Sequence, residues 1–222
     1  MKFVVFDLDG TLIDTLIGIT EAVNNTLKHF NYPYHYTKDE IKNFIGHGAN
    51  YLYQKATRKE KVSDEEMDYF SLEYVKTQNI SKVYDGVKET LDQLYKKGYQ
   101  LLIFSNKLNG ALQFLIKEKL PNIRFLAVQG NVKEYPVKPD TTLLNKILVE
   151  NKLAPEEGYY IGDSIVDFLT ARNAKLKSVI LKSGYGDYKD IELSRPDYMV
   201  DNFKDLLPLF EKIESEKHHG EK

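Results

Sequence analysis

The sequence predicts an α/β protein, a parallel sheet core flanked by helices, with an α-helical block inserted after the first strand. Three observations carry that expectation. Lys2-Phe3-Val4-Val5-Phe6 is a short run of β-branched and aromatic residues without polar alternation, the pattern of a strand buried on both faces. From residue 84 onward helical and extended patterns alternate at short intervals, as successive βα units do. Residues 16–82, by contrast, read as helix after helix with no buried strand. The expected domains are therefore a core of residues 1–15 and 83–222 and an inserted helical domain of residues 16–82, joined by short loops near 14–16 and 80–84.

Each element has a local reason. In the inserted block, apolar residues recur at helical spacing at Ile19, Val23 and Leu27, and again at Met67, Phe70 and Tyr74. Val87, Leu91 and Leu94 mark the next helix, which Gly98 stops after Lys96-Lys97. A strand is expected at 100–104, a helix at 110–119, a strand at 125–128 and a helix at 142–150. A strand at 158–161 follows, then a helix at 164–174, strands at 178–181 and 198–200, and a last helix from Phe203 towards Ile213. The polar tail 214–222 is expected to fray, with His218 and His219 solvated.

Composition narrows the partners. With 222 residues, 42% hydrophobic and 29% charged, the chain can build a generous core and is not a disordered protein. Lys+Arg 31 against Asp+Glu 33 leaves a net charge of -2, and no long basic block exists, so nucleic acid and membrane surfaces are not expected partners. No apolar stretch approaches the roughly 18 residues that span a bilayer, and the N-terminus enters a strand directly; a soluble, cytoplasmic protein is the expectation, and the sequence leaves its oligomeric state open, with a monomer favoured over an oligomer only slightly. The cysteine count of 0 excludes disulfides, thiolate catalysis and thiolate zinc sites.

Right-handed crossovers bring the carboxyl ends of all parallel strands to one edge, where open α/β sheets carry their chemistry. At that edge the sequence offers Asp7 and Asp9 of Asp7-Leu8-Asp9-Gly10-Thr11 after the first strand, and Ser105-Asn106-Lys107 after the second. Lys138-Pro139-Asp140 follows the third at some distance, and Gly162-Asp163-Ser164-Ile165-Val166-Asp167 follows the fourth. Taken singly, each has an ordinary explanation: a polar turn, a helix cap at Asp163 or Ser164 with Asp167 in the first turn, a Ser turn, a solvated lysine. Taken together they suggest one site. Like charges about 4 Å apart repel by roughly 4 kcal/mol at an effective dielectric near 20, so a divalent cation is the natural offset.

These motifs resemble those of the haloacid dehalogenase superfamily, most closely its phosphoglycolate phosphatase-like branch, over nearly the whole chain from Asp7 to Ser183-Gly184-Tyr185-Gly186. Phe44-Ile45-Gly46-His47-Gly48-Ala49 is similar to the family's substrate-facing Gly-x-Gly loop. Two departures lie beside the motifs: Asp85 in Tyr84-Asp85-Gly86 where relatives often carry Pro, and Lys138-Pro139-Asp140-Thr141 without a second Pro. The resemblance implies a Rossmann-like core with residues 16–82 as its cap, and a phosphatase acting on a small phosphorylated metabolite.

It further implies Mg²⁺ as cofactor, held by the Asp7 carboxylate, the Asp9 main-chain carbonyl and the Asp163 carboxylate, with Asp167 behind them holding water or Lys138. Asp7 is then the nucleophile that forms an aspartyl phosphate, and Asp9 the acid and base. Ser105 and Lys138 take up transition-state charge; Gly10, Thr11, Asn106, Lys107 and His47 are the expected substrate-binding residues, Gly10 and Thr11 through backbone donors. Counting Asp7, Asp9, Asp163 and Asp167 against Lys138 and one Mg²⁺ leaves the pocket near -1. The alternatives are a phosphosugar mutase of the same superfamily and, in a different class, a non-enzymatic phospho-acceptor resembling response-regulator receivers. The tyrosines and phenylalanines are read as packing residues only.

Overall fold

The computed structural model describes the backbone of residues 1–220 and the side chains of residues 1–216. Its centre is β1 (Phe3–Phe6), which pairs in parallel with β4 (Gln100–Leu108) and β6 (Gly158–Gly162). With β5 (Ala127–Asn131), β7 (Lys177–Leu181) and β8 (Tyr198–Val200) they form a 6-stranded sheet in the order β5-β4-β1-β6-β7-β8. β1 is central because it is apolar on both faces. Val4 and Phe6 enter one cluster with Leu91, Leu94, Ile103, Leu112 and Phe210, while Phe3 and Val5 enter the other with Leu102, Leu144, Leu148 and Tyr160. Full burial of each such side chain is worth about 1.5–3 kcal/mol.

Helices cover both faces. α5 (Val87–Lys96), α6 (Asn109–Lys119) and α10 (Leu206–Gly220) supply the first cluster; α7 (Thr142–Glu150) and α8 (Ile165–Asn173) supply the second. Between β1 and β4 lie α1 (Leu16–His29), α2 (Lys38–Lys42), α3 (Ala49–Thr57) and α4 (Asp64–Lys76), packed around a separate cluster of Ile19, Val23, Leu27, Leu52, Tyr53, Phe70 and Tyr74. Thr37 with Glu40, and Ser63 with Glu66, form capping boxes that fix where α2 and α4 start.

Several expectations need correction. The two connections to the helical block are not plain loops: β2 (Ile13–Asp14) and β3 (Lys82–Val83) pair antiparallel, Ile13 opposite Val83, so entry and exit are tied together. Ser105-Asn106-Lys107 belongs to β4, whose register against β5 shifts between Phe104 and Leu108; the irregularity lets polar residues continue a strand. β5 lies at 127–131 instead of 125–128, and α9 (Tyr188–Leu193), capped by Asp187, was not anticipated. The last helix starts after a 3-10 turn (Phe203–Asp205) and runs through Gly220. It does not fray at 214, because Glu214 accepts from Lys2 Nζ and Tyr99 OH, each at 2.9 Å. The solvated state expected of His218 and His219 lies outside the described side chains. Among the described residues no helix is long and apolar enough to cross a membrane.

Candidate active site

The turn after β1 is built by Gly10, at φ +82°, where a Cβ would run into Asp163 and Tyr185. Its backbone corrects one expectation. Gly10 N donates to Ile13 O (3.1 Å) and Thr11 N to Leu8 O (3.2 Å), so the turn spends those donors on itself instead of offering them to a ligand. Among the described hydrogen bonds the N–H groups of Leu8 and Asp9 have no acceptor. Thr11 contributes through its side chain, donating to Asp163 Oδ1 at 2.7 Å.

Asp7, Asp163 and Asp167 meet at the sheet edge, all buried, with carboxylate oxygens within 4.8 Å of one another. Asp167 is saturated. Its Oδ2 accepts from Asp163 N (3.1 Å), Ser164 N (3.0 Å) and Ser164 Oγ (2.6 Å), closing a capping box on α8, and its Oδ1 accepts from Lys138 Nζ (2.7 Å). The helix-cap explanation and a role beside Lys138 are therefore both realised by one residue. Asp163 has both oxygens engaged, by Thr11 and by Tyr185 N at 2.6 Å. A Cβ on Gly184 would collide with the Asp163 side chain, so glycine there lets the loop after β7 close over that carboxylate.

Asp7 differs from both. Lys138 Nζ lies 2.9 Å from its Oδ1 as a charge contact without hydrogen-bond alignment, and Oδ1 is a buried acceptor with no donor. An orphaned carboxylate oxygen among hard oxygen donors fits a divalent cation such as Mg²⁺. Asp7, Asp163 and the Asp9 carbonyl are the residues that would hold it, since Asp167 is tied on one oxygen to the Lys138 ammonium and on the other to the α8 capping box, whereas Asp163 accepts only from Thr11 and the Tyr185 loop.

Lys138 is placed by Asn106, whose Oδ1 accepts from Lys138 N (2.7 Å) and whose Nδ2 donates to Lys138 O (3.2 Å) and to Gly46 O (2.8 Å). Both amide hydrogens of Asn106 are thus used to brace the Lys138 segment and the loop before α3. Lys138 Nζ also donates to Tyr160 OH (3.0 Å), which donates to Phe104 O (2.6 Å). Lys107, fully buried, donates from Nζ to Asp9 Oδ1 (3.0 Å) and to Tyr74 OH (3.0 Å). Asp9 is less free than a mobile acid would be, because Thr15 Oγ1 also donates to Oδ1, at 2.6 Å. Ser105 Oγ accepts from Lys107 N (3.3 Å), and Ser105 lines a cavity of about 240 Å³. That cavity is shared by the core and the helical block: Asp7, Asp9, Ser105 and Lys138 line it from one side, and Lys42, Asn43, exposed His47 and Tyr74 from the other.

The charge balance shifts accordingly. Four carboxylates (Asp7, Asp9, Asp163, Asp167) face two buried ammonium groups (Lys138, Lys107), a sum of -2 that one divalent cation brings to zero; the sequence count used a single lysine. Burial, with the charges of Asp167 and Asp9 added, pushes Asp7 up to about 6 against the pull of Lys138. Burial and the charges of Asp167 and Asp7 push Asp163 up to about 8. Burial pulls the Lys138 ammonium down, but Asp167 and Asp7 outweigh it and hold it well above its usual range. Burial lowers Lys107 against the pull of Asp9.

A pH dependence follows with a definite sign. The metal-free folded state keeps protons on Asp7 and Asp163 at pH values where the unfolded chain, near 3.8, has lost them. Metal-free stability should therefore fall as pH rises from about 4 to about 8. A cation must displace those protons, so apparent Mg²⁺ affinity should strengthen over the same range, by up to about tenfold per pH unit for each proton released. Thermal melts in EDTA and Mg²⁺ titrations at pH 5.5 and 8 check both signs; equal affinity at the two values would contradict the buried cluster.

Sequence reasoning missed the tyrosines. Tyr74 and Tyr160 hold the two site lysines, and Tyr185 both donates to Asp163 from its backbone and receives Thr15 N (2.7 Å) and Leu16 N (3.0 Å) at its hydroxyl. Tyr74 sat on an apolar helical stripe and read as core; only its hydroxyl sets it apart from a phenylalanine.

Comparison with known proteins gives the family. A family model described as haloacid dehalogenase-like hydrolase matches residues 4–181. Over 215 residues the chain is 29% identical to Phosphoglycolate phosphatase 1 of Pseudomonas aeruginosa, covering 93% of this chain and 79% of that protein. It is 30% identical over 217 residues to the phosphoglycolate phosphatase of Vibrio vulnificus, with coverage of 93% and 95%. The crystal structure of a predicted phosphoglycolate phosphatase from Haemophilus somnus matches with a TM-score of 0.83 at 29% identity, covering 95% of this chain and 98% of that one. The chain belongs to the haloacid dehalogenase-like hydrolases, among their phosphatases.

Proposed function

We propose that the protein is a Mg²⁺-dependent phosphatase that hydrolyses a small phosphomonoester of the phosphoglycolate kind through an aspartyl phosphate on Asp7. One observation carries this reading: in the buried carboxylate trio, Asp7 alone keeps an oxygen without a donor, whereas Asp163 and Asp167 have both oxygens engaged. Neither Asp7 oxygen accepts a hydrogen bond among the described ones, so one can face the cation and Lys138 while the other is left to attack phosphorus.

In the first step an Asp7 oxygen bonds to phosphorus as the bond to the leaving oxygen breaks, and Asp9 gives that oxygen its proton. In the second, Asp9 takes a proton from water as the water oxygen bonds to phosphorus and the bond to Asp7 breaks, releasing phosphate and restoring both residues. The Ser105 hydroxyl and the N–H groups of Leu8 and Asp9 bind the transferring oxygens. Lys138, fixed by Asn106 and Tyr160, offsets the charge that spreads over them. Mg²⁺, held by Asp7, Asp163 and the Asp9 carbonyl, would supply Lewis-acid neutralisation of the phosphoryl oxygens. Residues 16–82 act as a cap domain on the core of 1–15 and 83–222, excluding bulk water, with His47 and Lys42 facing the leaving group.

A panel of phosphorylated metabolites assayed with Mg²⁺ and with EDTA tests the proposal. Hydrolysis of small monoesters should fall by at least about 10³-fold on chelation and return with added Mg²⁺. Undiminished hydrolysis in EDTA would overturn it.

A further inference from the structure

We propose that Tyr74 is a positioning residue for the acid and base step: its hydroxyl, acting through Lys107, orients the Asp9 carboxyl so that Oδ2 is the oxygen that exchanges the proton. The inference rests on the role of Asp9 given above and adds a residue from outside the core.

Both donors to Asp9 converge on one oxygen. Thr15 Oγ1 (2.6 Å) and Lys107 Nζ (3.0 Å) reach Oδ1, while Oδ2 accepts nothing among the described hydrogen bonds and Asp9 lines the cavity. A carboxyl with an ammonium on one oxygen carries its proton on the other, so the donor arrangement selects the reacting atom. The weak part is Lys107, a point charge on a flexible four-carbon stem, with the Asp7 carboxylate in the same buried cluster. Tyr74 removes that freedom. Its ring lies under Nζ, 4.4 Å from the centroid, and its hydroxyl accepts from Nζ at 3.0 Å. Burial, with Asp9 and Asp7 nearby, holds the phenol well above its usual range, so it stays a neutral acceptor.

Tyr74 belongs to α4, whereas Asp9 and Lys107 belong to the core. Phe70 packs against its ring at 5.4 Å, which Tyr74→Phe would preserve while deleting only the hydroxyl. The hydrogen bond therefore exists only while the helical block is seated on the sheet edge, which links the block's position to Asp9.

The test uses leaving groups of different basicity, because an alkoxide needs a proton on departure and a nitrophenolate needs little help. kcat/KM for phosphoglycolate and for p-nitrophenyl phosphate would be measured in wild type, Asp9→Asn, Tyr74→Phe, Lys107→Met and the double variant Tyr74→Phe/Lys107→Met. Tyr74→Phe should lower kcat/KM about 10-fold more for the alkyl ester than for the aryl ester, in the same sense as Asp9→Asn. In the Lys107→Met background it should change that ratio less than about twofold, since the two residues act in series. Equal losses on both esters by Tyr74→Phe, or a full additional loss in the double variant, would overturn the inference while leaving Asp9 in place. Equal losses by Asp9→Asn would instead remove the acid role and this inference with it, as would failure of the wild type to hydrolyse either ester.

Discussion

Asp7→Asn should reduce phosphatase turnover by at least about 10³-fold while leaving the metal-free protein as stable as wild type or more so. The two effects have one origin. Asp7 is buried beside Asp163 and Asp167, so in the metal-free protein its charge adds desolvation and repulsion that the contact with Lys138 offsets only in part, as its upward shift to about 6 shows, while Lys138 keeps its pair with Asp167. An amide of the same shape removes that charge. Under the proposed mechanism it would also remove the nucleophile and one of the metal's carboxylates, because an amide oxygen cannot form the acyl phosphate. Thermal melting at pH 8 in EDTA together with steady-state kinetics checks the pair; turnover within tenfold of wild type would refute the role given to Asp7.

Lys138→Met should act in the opposite direction on stability. Lys138 Nζ holds Asp167 at 2.7 Å, Asp7 at 2.9 Å and Tyr160 OH at 3.0 Å, and both it and Asp167 are buried. Deleting one partner of a buried ion pair leaves uncompensated charge and costs about 3–5 kcal/mol. For a chain of this size that is a melting shift of about 10 °C. The loss should be larger at pH 8, where Asp7 is ionised and Asp163 has begun to lose its proton, and smaller at pH 5, where both carry protons. Turnover should fall at least about 10²-fold, because among the described residues no other ammonium lies within ion-pair distance of Asp7. A melting point within 2 °C of wild type at both pH values would contradict the ion-pair account.

The architecture was legible because the signals for it are local. A fully apolar first strand declares burial on both faces, and its carboxyl end follows from chain direction alone, so the sequence by itself assigns Asp7, Ser105, Lys138 and Asp163 to one edge. Three features could not be read that way. The irregular end of β4 depends on its pairing with β5, which no window around Ser105 reveals. The inward turn of Gly10 and Thr11 depends on where Leu8 and Ile13 present their carbonyls. The contributions of Tyr74, Tyr160 and Tyr185 rest on one hydroxyl or one backbone N–H each, on side chains whose rings obey the ordinary packing pattern. Asn106 illustrates the same limit: its type suggested ligand contact, yet its amide is occupied by the backbone of Lys138 and Gly46.

The measurement that bears most directly on the account is acid-quench trapping of the enzyme during turnover with Mg²⁺ and a small phosphomonoester, followed by hydroxylamine treatment and mass analysis of the peptides. A hydroxylamine-labile phosphoryl group on the peptide containing Asp7, absent from Asp7→Asn, is the predicted result. A turnover-competent enzyme that carries no phosphoryl group there, or carries it on another residue, would contradict it.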